Sequence, residues 1–206
     1  MTRDCFKNET NRRNLDFWFG PIEFDQIPIQ EKKERWYKKD PQFDQTLKER
    51  WFDALQAAKR DALDDWATSP RGSLALIILI DQFGRNIFRN TAASFEGDKK
   101  ALAIAKQALD RHFDRELPWA MRVFLYMPFM HSEDLVDQEH CVELFKSLKH
   151  NAPEHFKKAF DQNIDYAIKH KDIIKRFDRF PHRNAILGRK STPEESAFLE
   201  QPGSSF

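Results

Sequence analysis

The chain has 206 residues, 40% of them hydrophobic and 13% aromatic, with 19 Phe and 5 Trp, enough apolar volume for one domain spanning 1–206. Its 34 basic and 33 acidic residues leave a net charge of +1, which argues against a dedicated nucleic-acid binder, a class with a marked basic excess. Six glycines and few β-branched runs favour helix over sheet.

From the N-terminus, Met1-Thr-Arg-Asp-Cys-Phe-Lys-Asn has no apolar leader. Cys5 and Cys141 form neither a disulfide framework nor a metal pair. A soluble, reduced, cytoplasmic protein is the plain expectation. Asn11 to Phe19 reads as a short aromatic helix stopped by Gly20-Pro21. Ile29 to Lys39 is charged, with Trp36 and Tyr37 as its apolar anchors. After Pro41, the positions Phe43, Leu47, Trp51, Ala54, Leu55, Ala58, Ala62, Leu63 and Trp66 recur at helical spacing.

The stretch from Arg71 to Arg89 organises the rest. Leu74 to Ile80 is an unbroken apolar run, so a helix here is apolar all round and lies inside the protein. It is too short for a bilayer, which needs about 20 residues. Asp81, Gln82, Arg85 and Asn86 close the run. Buried polar groups without partners cost roughly 1–3 kcal/mol each, so these four need other side chains or a ligand.

Thr91 to Gly97 reads as a turn, and Ala101 to Phe113 as a helix of strong helix formers. Pro118 suits the first turn of the next helix, which Pro128 should disturb. Asp134 to Leu148 is amphipathic, and a long segment opens at Pro153 and should end at Pro181. Thr192-Pro-Glu-Glu195 is a capping box. The sum is about eight or nine helices and no convincing strand. Short connections imply a stack of antiparallel helical hairpins, without a fixed-period repeat.

Three strings carry a resemblance: Leu76-Ile-Ile-Leu-Ile-Asp-Gln-Phe-Gly-Arg-Asn-Ile-Phe-Arg89, Phe124-Leu-Tyr-Met-Pro-Phe-Met-His-Ser-Glu-Asp134, and Arg179-Phe-Pro-His-Arg-Asn-Ala-Ile-Leu-Gly-Arg189. With Leu15-Asp-Phe-Trp-Phe-Gly20 and the closing Ser191 to Leu199, the chain resembles the domain-of-unknown-function family numbered 924 along nearly its whole length. Gly84 departs from the Pro common there. The resemblance implies an all-α, tetratricopeptide-like fold and supplies no activity. Fold-level analogy is a weak warrant for function.

Each polar string has a bland reading. Asp81 and Arg85 share a helix face, as a buried ion pair or, with Arg89, as an anion grip. Ser132 or Asp134 suits a helix cap, with Glu133 and Asp137 favoured by the helix dipole, which leaves His131 unexplained. Basic residues after a long helix answer its dipole, which leaves His182, Arg183 and Asn184. Lys169 to Lys190 holds eight Lys or Arg against two Asp, a balance of +6, while Ser132 to Phe145 holds five acids and no Lys or Arg. These two stretches can pair with each other.

A zinc-deaminase pattern lacks its Pro-Cys-x-x-Cys half, and no His-Glu-x-x-His, nucleophile elbow or phosphate-cradling glycine loop occurs. No metal site or cofactor is expected. The leading functional reading is a polar pocket that binds or processes a small phosphate- or carboxylate-bearing compound. Asp81, Gln82, Arg85, Asn86, Arg179, Arg183 and Asn184 would bind the ligand, and His131, Glu133 and His182 would serve as acid–base groups. The alternative is a non-catalytic helical scaffold for a peptide or protein partner, with Trp18, Trp36, Phe43 and Trp51 as candidates for an aromatic surface. Nucleic acid ranks third, resting only on the Lys169–Lys190 charge.

Overall fold

The computed structural model describes residues 3–22, 25–26 and 30–204, and among them it is all-helical. In chain order the helices are α1 (Arg3–Phe19), α2 (Gln30–Tyr37), α3 (Pro41–Lys59), α4 (Pro70–Ile77), a π-helical turn (Ile78–Phe83), α5 (Gly84–Ile87), α6 (Asp98–Asp110), α7 (Trp119–His131), α8 (Leu135–Asn151), α9 (Glu154–Phe177) and α10 (Pro193–Leu199). Since α4, the π turn and α5 form one continuous rod, nine helices stand among the described residues.

That rod is the axis of the fold. Every side chain from Leu74 to Ile78 is fully buried, as an apolar run with no polar face requires. Ser69 caps its start by accepting from Gly72 N, and Pro70 occupies the first turn. α1 and α6 pack on α4, and α3 packs on the π turn and α5. The aromatic residues concentrate here. Trp18 lies within 5.4–6.3 Å of the rings of Trp36, Phe43, Phe83 and Phe124. Trp18, Phe43 and Trp51 are buried and Trp36 packs against them, so all four candidates for an aromatic surface belong to the core. Ring pairs at these distances are worth about 0.5–1.5 kcal/mol beyond area burial.

Helices α7, α8 and α9 pack in sequence order. Tyr126 meets Phe145 and Phe129 meets His140 across α7 and α8, so the later part of one faces the earlier part of the next. Leu135, at the start of α8, packs against the cluster formed by Ile173 and Ile174 near the end of α9 and Phe180 just beyond it, while Lys149 pairs with Asp161 near the turn. Both pairs of helices are therefore antiparallel.

Three boundaries differ from the sequence expectation. α1 begins at Arg3, before Asn11, and stops at Phe19 where Gly20 takes φ +74°. The expected start of α2 at Ile29 lies outside the described residues. The helix after Pro41 ends at Lys59, not Trp66. Asp61 turns left-handed, and Lys100 Nζ donates to Ala58 O, Asp61 and Asp64 at 2.5–2.7 Å. A residue from α6 thus ends α3, an override the local pattern does not contain. Pro128 does not interrupt α7, which continues to His131. The carbonyls at the end of that helix are held by Gln138 Nε2, which donates to Met130 O and Ser132 O at 2.7 Å each.

Candidate functional site

The π turn delivers the first residues of the site. Ile78–Phe83 holds Asp81 and Gln82, 1% and 8% exposed, and π turns inside α-helices mark functional positions more often than chance. Asp81 Oδ1 lies 3.2 Å from Arg85 Nε and 2.7 Å from His131 Nδ1. Its other oxygen accepts from Gln82 Nε2 at 2.5 Å. Burial alone would raise the Asp81 carboxyl, but His131 and Arg85 hold it well below the usual carboxylate range. It is therefore ionised.

His131 stands at the C-terminal end of α7, partly buried. Burial and then the Arg85 charge push its pKa down, against the opposite pull of Asp81, so the ring is neutral at neutral pH. Because Asp81 is ionised, Nδ1 carries the proton and donates, which leaves Nε2 with its lone pair. Among the described residues Nε2 makes no hydrogen bond. An imidazole held by a buried carboxylate with its far nitrogen available is the geometry of a general base.

A second acid extends the network. Asp98, at the start of α6, accepts from Arg85 Nη2 at 2.7 Å and from Arg183 Nη1 at 3.1 Å. Arg183 Nη2 also donates to His131 O at 3.1 Å, fixing the backbone of the imidazole. The Arg183 guanidinium lies between the rings of Phe95 and Phe180, 4.7 and 4.5 Å from their centroids, an arrangement that favours a cation in a dry place. Burial first, then Arg85, lowers its pKa to about 10. Its Nε is buried without a hydrogen bond.

Glu133 is no part of the helix cap, which Asp134 provides by accepting from Val136 N at 2.8 Å. Glu133 instead accepts both Arg189 nitrogens, at 2.6 and 2.9 Å, and Phe180 N at 2.8 Å. It thereby ties the 178–191 segment to the end of α7. His182, on that segment, is carried down to about 4 by burial and by Arg183 and Arg85. His170, from α9, falls to about 3 for the same leading reason, burial.

Of the residues singled out from the sequence, Asp81, Gln82, Arg85, His131 and Arg183 are joined by hydrogen bonds. Glu133 and His182 adjoin them through Phe180. Asn86 bonds Gln82 O and Arg89, and Arg89 is held in a two-point pair with Asp44 at 2.6 and 2.8 Å, so Arg85 and Arg89 do not face one ligand together. Arg179 is taken by Glu195 at 2.7 and 2.8 Å, and Asn184 by Ser191. Asp98, His170, Phe95 and Arg189 were missed. Only His170 had a legible signal, a polar residue in the apolar stripe of Ala167, Ile173 and Ile174.

The basic run Lys169–Lys190 is largely paired. Lys171, Arg176, Arg179, Arg183 and Arg189 each meet a carboxylate within 4.0 Å, and Arg189 reaches the acidic stretch through Glu133. A cavity of about 840 Å³ lies by Asp16, Gly20 and Arg71, and one of about 350 Å³ by Asp114, Trp119 and Arg122. Neither lining includes a residue of the network. Among the described residues no group of His, Cys, Asp and Glu is arranged to hold a metal, and no helix is long and apolar enough to cross a membrane.

Fold and site together define a class: an all-helical protein with a buried ion-pair network at the meeting point of three distant segments. The chain belongs to the family described as bacterial protein of unknown function (DUF924), whose model matches residues 15–203. It is also similar to the solved structure of a protein of unknown function from Agrobacterium tumefaciens, with 36% identity, a TM-score of 0.79, and coverage of 94% of this chain and 98% of that one. No curated protein matches it.

Proposed function

We propose that the Asp81–His131 pair and its arginines form a site that binds, and through His131 processes, a small anionic compound bearing a phosphate or carboxylate. The observation that carries this reading is the buried carboxylate at 2.7 Å from His131 Nδ1, with Nε2 making no hydrogen bond among the described residues. Arg85 and Arg183, which share Asp98, supply the guanidinium donors that would hold the anion, and His182 stands as a second proton-carrying group. Asn86, Arg179, Arg189 and Asn184 shape the surrounding frame.

A peptide-binding scaffold is the less favoured reading, because Trp18, Trp36, Phe43 and Trp51 are packed in the core. We read the whole as one tetratricopeptide-like domain over 1–206, supported by the antiparallel α7, α8 and α9 and by a main core drawing residues from α1 through α9. A reducing, cytoplasmic setting is supported by the free, buried Cys141.

The test is a thermal-shift screen against phosphorylated and carboxylated metabolites, repeated with His131→Gln and Arg183→Ala. A ligand of the folded form raises the melting temperature by mass action, and about 2.7 kcal/mol of stabilisation is expected at a hundredfold excess over Kd. The account expects a shift in the wild type that both variants reduce. Equal shifts in all three proteins would remove the network from the binding site.

A further inference from the structure

The cavity of about 350 Å³ shares no lining residue with the network and is untouched by the reading above. It is lined by Asp114 and Arg115 from the turn before α7, by Trp119, Arg122 and Tyr126 of α7, and by the end of α8. Its volume is within the usual range for small-molecule pockets, about 300–1,000 Å³.

Its polar groups are fixed before any ligand arrives. Arg122, 9% exposed, donates from Nε to Leu117 O at 2.9 Å and from Nη2 to Arg115 O at 3.2 Å. Its guanidinium lies 4.0 Å from the Trp119 ring centroid, a contact that orients it. Asp114 is set by the phenol of Tyr126, which donates to Oδ2 at 2.9 Å. Tyr126 is 3% exposed and Leu148 is also buried, so the floor carries both apolar surface and two opposite charges, while Arg115, Ser147 and Asn151 stand exposed at the mouth. Asn151 Nδ2 donates to Ser147 O at 2.8 Å, which fixes one side of that opening.

We infer that this cavity binds a small zwitterion of the α-amino-acid type, its carboxylate against Arg122, its ammonium against Asp114 and its side chain on Trp119 and Leu148. Opposite charges lining one cavity suit a ligand carrying both, because a simple anion would meet the Asp114 carboxylate and a simple cation the guanidinium. Capping the carbonyls of Leu117 and Arg115 explains how Arg122 is held. It does not explain an oriented carboxylate beside it in an open cavity.

The experiment titrates the intact protein with the standard L-amino acids at millimolar concentration, following melting temperature and then heat of binding for those that respond. Each responder is compared with its decarboxylated amine and its deaminated acid. The inference expects at least one amino acid to bind and both truncated analogues to bind about tenfold or more weakly, the factor that corresponds to 1.4 kcal/mol. Asp114→Asn should erase the difference between the amino acid and its deaminated acid. Arg122 also supports backbone, so Asp114→Asn, at a half-buried position, is the safer variant. Binding by none of the amino acids, equal binding of the truncated analogues, or an Asp114→Asn protein that still discriminates would each overturn the inference. These outcomes leave the Asp81–His131 site unaffected, since no residue is shared.

Discussion

Asp81 is the residue on which the electrostatics of the network turn, because it is fully buried and answers Arg85, His131 and Gln82 at once. Burying such groups is favourable only when each finds a partner, and here the partners come from positions 4, 50 and 1 residues away. The i,i+4 pair with Arg85 was legible in the sequence, as was the polar end of an apolar helix. The bond to His131 was not, since no spacing rule links residues 50 apart. Asp98 was hidden for another reason: an acid at a helix start already has a sufficient local explanation in the dipole.

The histidines of this region give a pH prediction. His182 and His170 sit at about 4 and about 3, below the ordinary 6.5, chiefly because burial disfavours the cation. Between pH 6.5 and 4 the unfolded chain therefore binds more protons than the folded one, so stability rises with pH across that window and is lost as pH falls through it. Denaturant midpoints measured from pH 7 to pH 4 should decline. His182→Gln should flatten the decline, and a profile unchanged by that substitution would contradict the placement of His182.

At the scale of elements, glycines in the central rod separate tight packing from open space. A Cβ on Gly72 would fall 2.0 Å from Trp66 O, a backbone atom that cannot give way, whereas a Cβ on Gly84 would meet nothing within 4 Å. Gly84 also has helical dihedrals, φ −55° and ψ −46°. Gly84→Ala should stabilise by roughly 0.4–1 kcal/mol through the unfolded chain. Gly72→Ala should destabilise by about 1–3 kcal/mol, as overpacking does. Chemical denaturation of the two variants checks both signs, and a stabilised Gly72→Ala would show that α4 and the preceding turn are not in contact as described.

Helix existence and type were largely legible at this scale, because Gly20, Pro41, Pro153 and the Thr192–Glu195 capping box punctuate the chain. The end of α3 was not, since Lys100 imposes it from another helix. Nor was the π turn, which leaves no mark in apolar periodicity.

For the molecule as a whole, the all-helical class follows from composition and period, whereas the location of the site depends on which segments meet. Two hydrophobic clusters frame that meeting point, the main core and a smaller one of Ile173, Ile174 and Phe180. The small cluster, with Glu133–Arg189 and Arg179–Glu195, brings His182 and Arg183 onto the end of α7. Three sequence strings that stood out as non-periodic are thus neighbours because the C-terminal segment folds back over the hairpin of α8 and α9.

The most direct measurement is nitrogen-15 NMR of the His131 ring, assigned by its loss in His131→Gln and followed across pH and against phosphate- and carboxylate-bearing compounds. The account predicts a neutral ring at pH 7 with the proton on Nδ1, a pKa below 6.5, and an Nε2 resonance that moves when an anionic ligand binds. A ring protonated on Nε2 at pH 7, or one that is doubly protonated there, would contradict the Asp81–His131 arrangement and the function drawn from it.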